Sequence, residues 1–275
     1  MKQNIKNKLS LVLCLLSAMS IATSCKWVKQ NAAGFGANNS KTLEITEANL
    51  DSIRLTSNSD SLLYMEYDYH FLKSGGIVAD SINAGIVRCL VNGTHDTDVA
   101  EALRQAMNKE ESAMLSEIQE FYRPDDETFG TIKYEIIQNG RFESDAADTI
   151  IAYTGTSYRY TGGAHGSYQT NTINFSGRTG RLVRIDDILD TAHENEILKL
   201  MLSKLLSDND CATREELMEK TGILALGELY LTENFRLGKD SITFCFGQYE
   251  IAPYSSGITY IGISYDSLSP YLRIK

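Results

Sequence analysis

From Leu62 to Leu72 the chain alternates. Leu63, Met65, Tyr67, Tyr69 and Phe71 fall on one side, and Tyr64, Glu66, Asp68 and His70 on the other. A period of two held over that length predicts a β-strand with one buried face. The period then lengthens. Ile82, Ile86, Cys89 and Leu90 recur at helical spacing over Ser81–Leu90. Val99, Leu103, Met107, Met114, Ile118 and Phe121 form a second helical stripe, which Pro124 stops and which Asp96 or Thr97 is placed to cap. A β-rich block follows, with strands expected over Thr131–Gln138, Thr149–Tyr160, Tyr168–Phe175 and Leu182–Ile185. Turns are expected at Asn139-Gly140 and at Thr161-Gly162-Gly163.

Near Asp186 the pattern turns helical again. Ile188, Leu189, Ile197, Leu198, Met201 and Leu205 read as one helix, with Asp186 and Asp187 favourably placed at its positive start. Thr213-Arg214-Glu215-Glu216 fits a capping box, and Gly222 offers a stop. Four strands are then expected: Asn234–Leu237, Ser241–Phe246, Tyr249–Ala252 and Ile258–Ile263, with a Gly238-Lys239-Asp240 turn after the first. Strands and helices come in blocks instead of alternating singly, which predicts an α+β fold with mainly antiparallel sheets. The expected arrangement is two packed subdomains, 42–185 and 186–275, each a sheet covered by one or two helices.

The first 24 residues are an address. They contain no acid, carry Lys2, Lys6 and Lys8 ahead of an apolar run from Leu9 to Ile21, and end in Ala22-Thr23-Ser24 before Cys25. That run is too short to span a hydrocarbon core of about 30 Å, so residues 1–24 read as a cleaved signal peptide. Small residues directly before a cysteine match a bacterial lipobox, although Ala22 stands where leucine is usual. The expectation is a lipoprotein whose Cys25 is acylated and holds the membrane, each buried CH₂ contributing ~0.8 kcal/mol. Residues 25–41 read as a tether, with Gly34-Phe35-Gly36-Ala37-Asn38-Asn39-Ser40 small and aperiodic. Lys26 and Trp27 follow the cysteine where surface-exported lipoproteins can carry acids, which points to a periplasm-facing anchor in a bacterial envelope.

Composition narrows the partners. The 275 residues carry 26 Lys+Arg against 36 Asp+Glu, a formal net charge of −10. Loss of the leader removes three lysines and no acid, taking the net charge to −13. Nucleic acid is not an expected partner, because phosphate affinity rests on clustered cations. With Cys25 lipidated, Cys89, Cys211 and Cys245 remain, an odd number among apolar neighbours that reads as buried thiols without an essential disulfide.

Most catalytic signatures fail on inspection. His193-Glu194-Asn195-Glu196-Ile197 begins like a zinc-protease helix, but Ile197 replaces the second ligand. Gly155-Thr156-Ser157-Tyr158-Arg159 and Gly262-Ile263-Ser264-Tyr265-Asp266 approach a nucleophile elbow, but Arg159 and Asp266 would crowd the turn that a final glycine allows. No motif calls for a metal or a cofactor. One compact constellation remains, Tyr158-Arg159-Tyr160-Thr161-Gly162-Gly163-Ala164-His165-Gly166. His165 on such a glycine-rich turn can bind or exchange a proton, or simply satisfy loop carbonyls. Tyr158 and Tyr160 share a face and can stack on sugars, anchor a protein or merely pack.

The segment Tyr160–Gly166, the following Asn174-Phe175, Thr179-Gly180 and Ile185-Asp186-Asp187-Ile188-Leu189 resemble a known pattern. So does Phe244-x-Phe246-x-x-Tyr249-Glu250-Ile251-Ala252-Pro253-Tyr254-x-x-Gly257. The pattern is similar to the paired extracellular domains, of uncharacterised function, of the lysozyme-sensing anti-sigma factor RsiV and the peptidoglycan deacetylase PdaC, over about residues 55–272. The resemblance implies a stand-alone envelope domain tied to lysozyme or the cell wall. It singles out Tyr158, Tyr160, Gly162, Gly163, His165, Tyr249 and Tyr254 as binding candidates. The sequence lacks the anti-sigma segment and the deacetylase domain, so the expected function is non-catalytic binding of lysozyme or cell-wall glycan. The alternatives are a peptidoglycan hydrolase pairing His165 with Asp186 or Asp187, or an accessory subunit of an envelope complex.

Overall fold

Strands β1 (Leu50–Ser59) and β2 (Leu63–Leu72) pair antiparallel along their whole length, from Leu50 opposite Leu72 to Ser59 opposite Leu63. The computed structural model describes residues 42–59, 62–91, 98–121 and 133–273. The leader, Cys25 and the tether therefore lie outside the described residues, as do Asp96, Thr97 and Pro124. In β2 the alternation emerges as expected: Leu63, Met65, Tyr67 and Tyr69 are buried, while Tyr64, Glu66 and His70 are half-exposed on the other face. Asp68 lies on that second face yet is also buried.

Helices α1 (Ile77–Leu90) and α2 (Val99–Phe121) follow and lie on the buried side of the sheet, where Ile82, Ile86, Val99, Leu103 and Met107 join the β2 residues in one core. The N-terminal bond of α2 comes from Asp98, whose carboxylate accepts the Glu101 N–H at 3.0 Å. β3 (Tyr134–Phe142) then pairs parallel to β2, Leu63 beside Tyr134. Parallel neighbours need a crossover, and the two helices provide it. The otherwise antiparallel sheet is completed by β4 (Ile150–Tyr160), β5 (Ser167–Ser176) and the two-residue β6 (Leu182–Val183), in the order β1 to β6.

The expected Asn139-Gly140 turn is not one. Both residues lie inside β3, opposite Thr156 and Gly155 of β4. Gly140 is needed there for space, because a Cβ would collide with the rings of Tyr153 and Tyr69. The chain reverses further on, between Phe142 and Ile150.

The expected single helix after Asp186 is broken. α3 (Ile185–Ile188) stops at Leu189, which bridges to Leu272, and a 3₁₀ turn over Thr191–His193 leads into α4 (Glu194–Asp208). Asp187 occupies the third position of α3 and accepts the Arg184 N–H at 2.9 Å, so the acidic pair does mark a helix start. α5 (Arg214–Thr221) has the expected caps: Thr213 accepts the Glu216 N–H, and Gly222 is left-handed at φ 75°. A second antiparallel sheet, β7 (Phe235–Leu237), β8 (Ser241–Phe246) and β9 (Thr259–Ser264), closes with α6 (Tyr265–Leu268). Tyr249–Ala252, expected as a strand, instead forms turns, with Tyr249 N–H donating to Ala252 O and Glu250 N–H to Gly247 O.

The fold is α+β, a six-stranded mostly antiparallel sheet and a three-stranded antiparallel sheet with six α-helices among the described residues. Lys41–Lys275 form one compact unit. Within it two hydrophobic cores are separate, one drawn from Leu63 to Phe175 and the other from Val183 to Leu268. The chain passes between them in β6, whose Leu182 packs on the first and whose Val183 belongs to the second. None of the described helices is long and apolar enough to cross a membrane.

Candidate functional site

β4 and β5 carry the histidine loop between them. Alternation along β4 sends Arg159 to the helix side, where it pairs with Glu110 beside Met114, and leaves Tyr158 and Tyr160 on the opposite face. Directly across from Tyr158 stands Tyr168, their rings 4.7 Å apart and tilted by 42°. The loop itself needs glycine twice over. Gly162 and Gly163 have φ of 88° and 93°, and a Cβ on Gly166 would strike the Tyr158 ring. Tyr158 therefore lies against the loop as a clamp, and the Tyr160 hydroxyl adds a bond to Gly163 O at 3.2 Å.

The loop and the distant Tyr249–Gly257 segment converge. The His165 ring stacks on Tyr254 with centroids 3.6 Å apart and 17° between planes. Tyr249 lies 6.0 Å from Tyr254, and its hydroxyl is 3.4 Å from His165 Nε2, while His165 Nδ1 is 3.1 Å from Gly166 O. The seven candidate residues thus divide. His165, Tyr249 and Tyr254 form one cluster, with His165 and Tyr249 exposed and Tyr254 part-buried; Tyr158, Tyr160, Gly162 and Gly163 shape the loop that carries the histidine.

Sequence reading missed the residues that widen this cluster. Gln248 accepts the Tyr168 N–H at 2.7 Å, which ties the start of β5 to the residue before Tyr249. Tyr230 donates to Glu250, and burial, reinforced by that bond, pushes its phenol up to about 12. Tyr260 lies beside Thr170, two residues along β5 from Tyr168. Among the described residues the four exposed tyrosines are Tyr168, Tyr230, Tyr249 and Tyr260, at 51, 44, 53 and 54 % exposure; the first three bond to or stand in the Gly247–Glu250 turn, and Tyr260 pairs with Cys245 of β8. The register of the β4–β5 hairpin would have revealed Tyr168; nothing local marks the other two.

Residues 183–266 match the family model DUF3298, described as a protein of unknown function. The matched span holds the second core with Tyr249 and Tyr254, and stops short of the His165 loop. Two solved structures of DUF3298 proteins share the fold. One, from Bacteroides fragilis, is 23 % identical, with a TM-score of 0.70, covering 81 % of this chain and 92 % of that one. The other, from Pseudomonas aeruginosa PAO1, is 17 % identical, with a TM-score of 0.56, covering 82 % and 95 %. No curated protein matches the sequence.

Other motif residues have structural partners in and around the matched span. Asp187 receives Arg181 Nη1 at 3.0 Å as well as the Arg184 N–H, and these bonds, opposing the effect of burial, hold its carboxyl below the usual range. Ser264 does stand at a strand-to-helix junction, but its hydroxyl caps α6 by accepting the Ser267 N–H at 3.2 Å. Ser157 lies inside β4. His193 stands against Tyr271 and 3.9 Å from Asp190. Among the described residues no group of three or more His, Cys, Asp or Glu is arranged to hold a metal ion. Among the described residues Cys89, Cys211 and Cys245 form no disulfide; Cys245 is buried and the other two partly so.

Proposed function

We propose that this protein is an envelope lipoprotein, anchored through acylated Cys25, whose folded domain binds a cell-wall glycan or lysozyme without catalysing a reaction. One observation carries the reading: three exposed tyrosines, Tyr168, Tyr230 and Tyr249, tied to one turn, with His165 stacked on Tyr254 beside them. Exposed apolar residues scattered singly mean little, but a contiguous patch with polar tips is the usual form of a docking surface. The similarity of Tyr160–Gly166 and Phe244–Gly257 to the RsiV and PdaC domains supports a wall-associated or lysozyme ligand. The net charge of −13 after leader loss would also speed encounter with a basic protein in a salt-dependent way.

The hydrolase alternative needs an acid beside His165. The carboxylates considered for it are engaged elsewhere, Asp187 with Arg181 and Arg184, and Asp186 at 3.8 Å from Arg184. The direct test is retention of sacculi or of lysozyme by the purified full chain in detergent at low and physiological salt. Retention of either without release of soluble wall fragments is expected. Fragment release that disappears in His165→Ala would replace binding with hydrolysis.

A further inference from the structure

The backbone at Tyr249 is left-handed, with φ of 64°. That conformation costs a tyrosine about 1–2 kcal/mol, and glycine would adopt it freely. The turn enforces it through Tyr249 N–H to Ala252 O at 3.1 Å and Gly247 N–H to the Glu250 carboxylate at 2.6 Å. The strain secures no core packing, because more than half of the side chain stands in solvent. Strained non-glycine residues cluster at ligand clamps, where the side chain and not the turn is what matters.

The neighbours define what such a ring could meet. Tyr168, whose backbone N–H is held by Gln248, presents a second open ring. Around the rings stand phenol hydroxyls, the Gln248 amide, the His165 imidazole and the Glu250 carboxylate, with no lysine or arginine among these groups. A pyranose has one face of C–H bonds, suited to an aromatic ring, and a rim of hydroxyls that need donors and acceptors at its edge. A phosphate-rich ligand would instead require cations.

From these two observations we infer that Tyr249 and Tyr168 are stacking platforms for sugar rings of an uncharged glycan strand, with the Gln248 amide hydrogen-bonding its hydroxyls and His165 holding the Tyr249 hydroxyl in place. This rests on the binding function proposed above and chooses between its two ligands.

The test uses the full chain in detergent micelles with three probes: a tetramer of N-acetylglucosamine, longer soluble chitin strands, which are likewise uncharged, and lysozyme. Binding of the tetramer or the strands, weakened roughly tenfold or more by Tyr249→Ala and by Tyr168→Ala, is the expected result. Tyr249→Phe keeps the ring and should retain most of the affinity, and Ile77→Ala, an exposed residue at the start of α1, should change nothing. Unchanged thermal midpoints would show that the variants fold. Glycan binding indifferent to both tyrosines, or capture of lysozyme alone, would overturn the inference and leave the binding function standing. Failure of all three probes would remove both.

Discussion

Asn174 and Asn234 exchange roles across the two sheets. Asn174, 1 % exposed on β5, donates its amide to Phe235 O at 2.7 Å and accepts the Leu237 N–H at 3.0 Å. Asn234, just before β7, donates to Thr170 O at 2.7 Å and accepts the Thr172 N–H at 2.9 Å. Each side chain imitates the backbone of a missing strand, so β5 and β7 are joined where no ladder connects them. The Gly247–Glu250 turn, which follows β8, meets the His165 loop through this joint.

Replacing Asn174 by Leu would leave a buried carbonyl and a buried N–H unpaired. Each unsatisfied group costs about 1–3 kcal/mol, so a loss of ~2–5 kcal/mol is expected in urea unfolding. Asn234→Ala should cost less, since its partners are only part-buried. Additive effects in the double variant would show that the two clamps act independently.

Asp68 is held by Arg54 at 2.7 Å and Arg141 at 2.9 Å. Burial alone would raise its carboxyl, but the hydrogen bonds from Arg54 and Arg141 outweigh it and hold the group below the usual range. A lowered native value means that the unfolded chain binds the proton first. The stability from this site is therefore complete above about pH 4 and fades as acid titrates the native carboxylate. Asp68→Asn should flatten the fall in unfolding free energy below pH 4. An unchanged acid limb would place the stabilisation elsewhere.

Glycine substitutions should rank by what they meet. Gly140→Ala forces a methyl into the Tyr153 and Tyr69 rings and should destabilise by about 1–3 kcal/mol, or more if the strands must part. Gly163→Ala meets no neighbour and faces only its φ of 93°, so about 1 kcal/mol is expected. Thermal unfolding of the two variants decides the order, and a costlier Gly163 change would mean the loop matters more than the sheet.

Burial pushes the Cys245 thiol up to about 11, with Glu250 adding to the effect. At pH 8 only about one molecule in a thousand carries the thiolate, so alkylation of the native protein should spare this cysteine. Cys89 and Cys211, both part-buried, should label before it. Because the unfolded thiol ionises earlier, Cys245 also makes stability fall as pH rises past about 8.5. Peptide mapping after timed alkylation reads the first effect, and denaturant titration between pH 8 and 10 reads the second.

The chain by itself determined the parts whose cause is local. The β2 alternation, the helical stripes on α1 and α2, the Thr213 cap and the Gly222 stop each depend on neighbours a few residues away, so their pattern was legible. β1 was not, because its half-exposed LDSIRLTSNS has little apolar signal and becomes a strand by pairing with β2 along its length. Asn139-Gly140 carries the chemistry of a turn, yet two tyrosine rings from other strands need that glycine flat in β3. The candidate site divides in the same way. Glycines and a histidine between two tyrosines advertised the loop, but Tyr168 and Tyr230 came to it only through Gln248 and Glu250. Hydrogen bonds spanning eighty residues, such as Gln248 to Tyr168, leave no periodic trace, and only the tertiary structure decides them.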